Sequence, residues 1–319
     1  MRYTIAPIAC RPWLLNGLSD RLIVSHYENN YGGAVRRLNA IAEKLESLDF
    51  DAAPGFVLKG LKQEELVAMN SMILHELYFA SLGGDGKSTE SMREALAQSF
   101  GSAARWKSEF TAMGRALGGG SGWVLLAYLP RERKLVNTIG MDHTWNAAGA
   151  ILLLALDMYE HAYHMDFGTN AGSYVDAFMR NIDWKGVEAR YLAATGLGYL
   201  EHVVDPAGKG LPSVPIEAVR EEAQGAQKPQ VIDARPRHYY TKSPDMMAGA
   251  AWRDPDRIEE WIGEVRQSEP VYVYCAYGFH VGCNVTAALR EKGFDARYVE
   301  GGFSAWKAIG GARQAGPAG

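Results

Sequence analysis

Cysteine is scarce in this chain. Cys10, Cys275 and Cys283 are the only three among 319 residues. They make no disulfide framework, and a chain so poor in thiols is expected in a reducing cytoplasm. Long hydrophobic runs are missing as well. The longest, residues 147–156, is far too short for a bilayer, which takes roughly 20 residues. Residues 1–7 lack the apolar stretch of a signal peptide. No block of like charge exists, and the net charge is only −4. A nucleic-acid or membrane-surface role is therefore not expected. What is present is ordinary for a globular protein, with 47% hydrophobic and 22% charged residues. A chain of this length outgrows one small core and is expected to form two domains.

No internal repeat is visible. Glycine and proline crowd together between residues 196 and 230, a composition that suits a linker. We therefore expect a first domain at 1–200, a linker at 201–229, a second domain at 230–312 or from near 212, and a tail at 313–319. Apolar residues recur at helical spacing over 19–48 and 63–81, and Pro54-Gly55 lies between, so a helical hairpin is predicted. Residues 123–128 and 134–139 have strand patterns around a turn at 130–133. The apolar run 151–156 is a buried strand or a buried helix, which periodicity does not decide. The first domain is thus α+β. Beyond the linker, strands are predicted at 230–234, 270–274 and 296–300, with helices at 255–267 and 284–292 and a short one at 215–226. Strands alternating with helices imply a parallel sheet covered on both faces.

Asp157 and His161 stand four residues apart, directly after the apolar run. A carboxylate and a neutral imidazole suit a first-row metal such as iron or manganese. His26 and His75 lie one in each predicted long helix. Taken singly, each is an ordinary core histidine. Taken with Asp157 and His161 they make three nitrogens and one oxygen, which leaves room on a redox metal for solvent and a small substrate.

Over residues 1 to about 200 the chain resembles the iron/manganese superoxide dismutases. The resemblance rests on Phe110, on Gly120-Ser121-Gly122-Trp123, on Asp157-Met158-Tyr159-Glu160-His161-Ala162-Tyr163, and on Tyr174, Phe178, Asn181-Ile182-Asp183-Trp184 and Arg190-Tyr191. The last group looks like that family's C-terminal helix. The resemblance implies one iron or manganese ion per subunit, held by His26, His75, Asp157 and His161. It also implies a homodimer in which Glu160 bonds the ligand His161 of the partner subunit, and superoxide as substrate.

Several positions depart from the family pattern. Asn30 and Tyr31 replace a pair of histidines, and Ala34 replaces a tyrosine at the substrate entrance. Tyr159 replaces the tryptophan of the signature, and His164 a tyrosine. The glutamine that bonds metal-bound solvent is absent: Ser71 occupies one of its usual places, and Met141-Asp142-His143 the other region. Two expectations follow. Asn30 and His164 replace a bond across the dimer. His143 takes the glutamine's place as donor to the bound solvent, the alternative being an exposed loop histidine. Loss of the tyrosine at Ala34 removes an acidic group, and peroxide formation needs two protons, so turnover is expected to be slowed.

Cys275 follows a predicted strand and opens the loop Cys275-Ala276-Tyr277-Gly278-Phe279-His280-Val281-Gly282 before a helical stretch. Backbone N–H groups at such a turn stabilise a thiolate; the alternative is a buried structural cysteine. Residues 212–312 resemble a rhodanese-like domain. The resemblance rests on Val231-Ile232-Asp233-Ala234-Arg235, Ala248-Gly249-Ala250, Cys275 with Gly278, and Glu300-Gly301-Gly302-Phe303-Ser304-Ala305-Trp306. It implies that Cys275 is a nucleophile that carries sulfur as a persulfide between a small donor and an acceptor. His280 stands where many members have arginine. Val281 stands where cysteine phosphatases need arginine, which disfavours phosphatase chemistry. Cys283 is either a resolving thiol or a small buried residue.

Two other readings remain beside a dismutase with a fused sulfur-carrying module. One is a metal-binding or redox-sensing protein of low turnover. The other is a sulfurtransferase whose first domain protects its persulfide.

Overall fold

The computed structural model describes residues 2–196, 210–223, 225 and 228–316. The chain packs into two units, Met1–Tyr3 with Ala9–His202 and Thr4–Ile8 with Val203–Gly319. Residues 201–209, 224, 226 and 227 of the expected linker, and residues 197–200 before it, lie outside the described residues.

The first unit opens with a helical rod. Helix α1, Asp20–Ser25, starts where the Ser19 hydroxyl accepts the Leu22 N–H. It passes without interruption through a π-helical stretch, His26–Tyr31, into α2, Gly32–Glu46. Helix α3, Gly55–Phe79, returns alongside and completes the predicted hairpin. It begins eight residues before the expected start at Gln63, because Pro54 serves as its N-terminal boundary. Next come α4, Glu90–Phe100, and α5, Ala103–Ala116, capped by Thr89 and Ser102.

Strands β1, Trp123–Leu129, β2, Lys134–Gly140, and β3, Ile151–Asp157, form an antiparallel sheet in the order β2-β1-β3. The apolar run at 151–156 is therefore a strand. Its residues Leu153 to Leu156 are fully buried, which is why its pattern showed no alternation. A short helix, α6, His164–Phe167, precedes α7, Ala171–Arg180, and α8, Trp184–Ala194. The single C-terminal helix suggested by the resemblance is thus two. The break comes at Asn181-Ile182-Asp183, where the Asp183 side chain caps α8 by accepting the Lys185 N–H and Ile182 bridges to Leu82.

The register of the sheet positions everything that follows. Trp123, first in β1, pairs with Asp157, last in β3, on one side and with Gly140, last in β2, on the other. The residues after β2 and after β3 therefore emerge at the same end, beside Trp123. Gly122 makes this possible. It has φ 141°, and a Cβ there would lie 2.6 Å from the Gly140 carbonyl oxygen, so only glycine fits.

The second unit has a five-stranded parallel sheet. Its strands are β4, Ser213–Val214, β5, Gln230–Asp233, β7, Ala250–Trp252, β8, Val271–Tyr274, and β9, Ala296–Val299, in the order β4-β9-β8-β5-β7. Helices α9, Ile216–Ala223, α10, Arg237–Tyr240, α11, Ile258–Trp261, α12, His280–Glu291, and α13, Gly302–Ala308, connect them. A small pair of β6, Asp245–Met247, with β10, Arg313–Ala315, closes one side. The helix expected over 255–267 is only α11 and a 3-10 turn, Ile262–Glu264. Trp261 packs with Ile232, Val271, Val285 and Leu289 in the core, and Ile258, Ile262 and Val265 lie against them. These contacts fix a short, irregular segment that apolar spacing alone reads as a longer helix.

Candidate metal centre and cysteine loop

Four side chains from three parts of the first unit meet at the end of the sheet: His26 from the π-helical stretch, His75 from α3, and Asp157 and His161 from the end of β3 and the turn after it. Their ligand atoms all lie within 4.8 Å of one another. Asp157 Oδ2 is the centre, 3.2 Å from His26 Nε2, 3.2 Å from His161 Nε2 and 3.7 Å from His75 Nε2. His26, His75 and Asp157 are buried, and the His161 side chain is 27% exposed.

Backbone groups aim these side chains. The His75 Nδ1–H donates to the Ser71 carbonyl oxygen at 2.6 Å, which turns its other nitrogen toward Asp157. Asp157 Oδ1 accepts the Tyr159 N–H at 2.8 Å, leaving Oδ2 for the cluster. The Tyr174 hydroxyl donates to the Asp157 carbonyl oxygen at 2.8 Å and ties β3 to α7.

Burial pushes the His26 and His75 imidazolium forms down, His75 to about 3. Burial alone would raise the Asp157 carboxyl, but the neighbouring His161 and His26 imidazoles outweigh it and hold the group well below the usual carboxylate range. The cluster therefore offers the neutral imidazoles of His26 and His75 and an ionised carboxylate, the forms that bind a cation.

The fit to a cation is visible in what the cluster leaves unsatisfied. His26 Nε2 and His75 Nε2 are buried without a hydrogen-bond partner among the described residues, although both face Asp157 Oδ2. A buried polar atom left so costs on the order of 1–3 kcal/mol, and a cation between the nitrogens and the carboxylate removes that cost. Three nitrogens and one oxygen fit iron or manganese.

The residues behind the cluster sort themselves by the sheet register. Trp123 is fully buried, and its ring meets the His75 ring edge-on at 5.4 Å. Its Nε1–H donates to His143 Nδ1 at 3.0 Å. Indole nitrogen only donates, so His143 accepts at Nδ1 and carries its proton on Nε2. The Asn70 side chain holds the His143 carbonyl oxygen at 2.7 Å. Tyr159 lies between His143 and His161, stacked on both at 5.0 and 5.4 Å. His143 is thus brought to the cluster, partly buried rather than free on its loop. Glu160 and His164 are exposed, and Asn30 is partly buried.

Two groups escaped the sequence reading. The Ser71 carbonyl has no side-chain signal to find. Tyr31 and Glu76 are bonded hydroxyl to carboxylate at 2.7 Å, with the Tyr31 ring stacked on His75 at 6.4 Å. The π-helical stretch shifts Tyr31 from the face that a regular helix gives it.

In the second unit Cys275 directly follows β8, as expected, whereas α12 begins at His280, four residues before the expected start at Asn284. Cys275 is buried, with Sγ 3.9 Å from the Phe279 carbonyl oxygen; His280 is exposed. The Gly301-Gly302 turn grips this loop. The Phe303 and Ser304 N–H groups donate to the Cys275 and Ala276 carbonyl oxygens at 2.9 Å each. A Cβ on Gly278 would lie 2.6 Å from Gly301 N, and one on Gly302 would lie 2.4 Å from the Cys275 carbonyl oxygen. Glycine is needed on both sides of the contact. Asp233 and Arg235 form a buried ion pair, with a closest approach of 2.6 Å. Arg235 also donates to the Ser243 and Asp245 carbonyl oxygens, so its role is to brace the loop before β6. Cys283 is fully buried.

Comparison with known proteins places these sites in context. Residues 88–190 match the family model for the C-terminal domain of iron/manganese superoxide dismutases, and residues 218–309 match that for a rhodanese-like domain. An iron superoxide dismutase of Cupriavidus metallidurans is 58% identical over 194 residues, 61% of this chain and 98% of that protein. An iron superoxide dismutase of Aquifex pyrophilus is 33% identical, over 57% of this chain and 87% of its own length. A manganese superoxide dismutase of Haloferax volcanii is 32% identical, over 56% and 90%.

Proposed function

The chain belongs to the iron/manganese superoxide dismutase family, and from that premise we propose that its first unit converts superoxide to hydrogen peroxide and dioxygen at a site made by His26, His75, Asp157 and His161. The protein is an oxidoreductase, and its cofactor is iron or manganese. The observation that carries the assignment of the site is the pair of buried, unpartnered nitrogens facing an ionised carboxylate. When bound, the ion supplies one-electron chemistry by alternating between its +2 and +3 states. The protein's own groups do the rest. Asp157 keeps a negative charge in a buried place, the neutral imidazoles keep their lone pairs available, and the Ser71 carbonyl fixes the angle of His75. His143, with its proton on Nε2 and its ring against Tyr159, is the proposed hydrogen-bond donor toward the solvent of the site.

Elemental analysis and a superoxide assay on one purified sample test the reading. We expect near-stoichiometric iron or manganese and turnover well above that of the free ion. A fully loaded protein without such turnover would instead support the metal-binding alternative. The buried alanine at position 34 and the substitutions at Asn30, Tyr159 and His164 are what keep that alternative in view.

The exposed Glu160 and His164 and the partly buried Asn30 support a homodimer, with Glu160 bonding the partner subunit's His161 and Asn30 meeting the partner's His164. A dimer structure with those last two side chains beyond hydrogen-bond reach would sink the second contact. Among the described residues no helix is long and apolar enough to cross a membrane, which agrees with a cytoplasmic protein.

For the second unit we propose sulfur transfer through Cys275, in the loop fixed by Gly278 and the Gly301-Gly302 turn, with His280 at its mouth and a small donor and acceptor. Replacing Cys275 with alanine should abolish sulfur transfer and leave dismutation unchanged. Loss of both would show that the two activities are linked.

A further inference from the structure

The π-helical stretch His26–Tyr31 does more than carry a candidate ligand. In a regular α-helix a residue five positions on lies about 140° around the axis, so Tyr31 would point away from His26. In a π turn the backbone bond spans five residues, and position i+5 returns to nearly the same face. Here the Gly32 N–H reaches back to the Tyr27 carbonyl oxygen. As a result His26 and Tyr31 face the same two residues of α3. His26 meets His75 at 5.0 Å and Phe79 at 5.2 Å; Tyr31 meets them at 6.4 and 6.2 Å.

Tyr31 is 1% exposed, and its hydroxyl donates to Glu76 Oε1 at 2.7 Å. Glu76 follows His75 directly and is only partly buried. The buried Tyr31 hydroxyl thus ties down a carboxylate that is only partly buried. The His75 ring is then bounded on three sides: by the Ser71 carbonyl at Nδ1, by the Trp123 edge at 5.4 Å, and by the Tyr31 face, inclined 28° to it.

We propose that Tyr31 and Glu76 act together as a positioning couple for the metal site. Tyr31 fixes the plane of His75 and pins the Glu76 negative charge beside the cluster, where it favours the +3 over the +2 ion. This rests on the proposed reading of the first unit as a redox metal site. The sign follows from Coulomb's law: a fixed negative charge near the ion stabilises the more positive state, and the effect fades when water screens it.

The test is a double-mutant cycle on the metal-loaded full chain, read by the reduction potential and by the electron paramagnetic resonance spectrum of the ferric form. Glu76→Gln keeps the shape and an acceptor oxygen but removes the charge, so the potential should rise. Tyr31→Phe keeps the ring and removes the hydroxyl that bonds Glu76, so the potential should rise by no more than that. The double variant should show no shift beyond Glu76→Gln alone, because Tyr31 acts through Glu76. The Tyr31→Phe resonance should also broaden or change symmetry as the His75 plane loosens. Metal content should stay that of the parent in all three. Unchanged potentials, or shifts that simply add, would overturn the proposal. Should the parent lack dismutase turnover, the proposed function fails, while the potentials still decide the couple. Should Tyr31→Phe fold poorly, Glu76→Gln, at a partly exposed position, still decides the sign.

Discussion

Asp157 illustrates how one residue answers to several demands. Its carbonyl oxygen is held by Tyr174, one carboxylate oxygen by the Tyr159 N–H, and the other faces three imidazoles. Two of those imidazoles, His26 and His75, are kept neutral by burial, which sets a pH dependence. In the unfolded chain a histidine takes up its proton near 6.5, whereas folded His75 does so only at about 3, and folded His26 is pushed down by the same burial. As pH falls below 6.5 the unfolded state therefore binds more protons than the folded one. Stability is present above that value and drains away below it, by up to about 1.4 kcal/mol per pH unit for each suppressed histidine. We expect the melting transition of the metal-free first unit to drop steadily between about pH 7 and about pH 5. A flat or rising profile would contradict buried neutral imidazoles. For the metal itself, His75→Ala should weaken binding by more than about 100-fold, beyond what loss of a group behind the ligands does. Elemental analysis checks it, and retention of stoichiometric metal would remove His75 from the site.

Secondary-structure elements deliver these residues, and the end of the sheet is where a small backbone change should be felt most. Gly122 has a backbone angle that other residues avoid, and a Cβ would press on the Gly140 carbonyl. Gly122→Ala should cost about 1–3 kcal/mol, which for a unit of this size is several degrees of melting temperature. It should also disturb the Trp123–His143 bond, since Trp123 is the next residue. A variant with an unshifted melting curve would show that β1 and β2 can part here without penalty. The same elements explain what the sequence disclosed. The hairpin was legible because α2 shows one apolar face and α3 is rich in apolar residues, although Leu66 and Ile73 among them are exposed, and β1 and β2 because Pro130 and its neighbours punctuate them. The four clustered residues were legible from donor chemistry and the resemblance together. Tyr31 and Glu76 were not, because a π turn breaks the 3.6-residue phase on which helical reading depends. The short α11 was not, because tertiary packing of Trp261 overrides local spacing. The position of His143 was not, because it depends on a register between strands that no single segment encodes.

At the scale of the whole molecule the question is what completes the cluster from outside. Within one chain the cluster is covered on most sides: Tyr27, Tyr31, Tyr78 and Trp123 are all buried around it. The turn after β3 is the exception. Glu160 and His164 are exposed there, Met165 is 45% exposed, and His161 between them is the one partly uncovered member of the cluster. A second copy seated on this turn by two-fold symmetry would place each Glu160 against the other copy's His161, as an isologous contact requires. The carboxylate would then orient an imidazole that no hydrogen-bond partner but Asp157 restrains within its own chain among the bonds described. Orienting partners of this kind typically alter metal affinity by about 10–100-fold. Glu160→Arg should therefore have two linked effects. Sedimentation should shift from dimer toward monomer, since a cation would face an imidazole instead of a carboxylate, and metal should be lost more readily to a chelator. Both effects are needed. A variant that remains dimeric and keeps its metal would move the interface elsewhere, and one that becomes monomeric yet holds metal as tightly as the parent would show that the site is complete within a single chain.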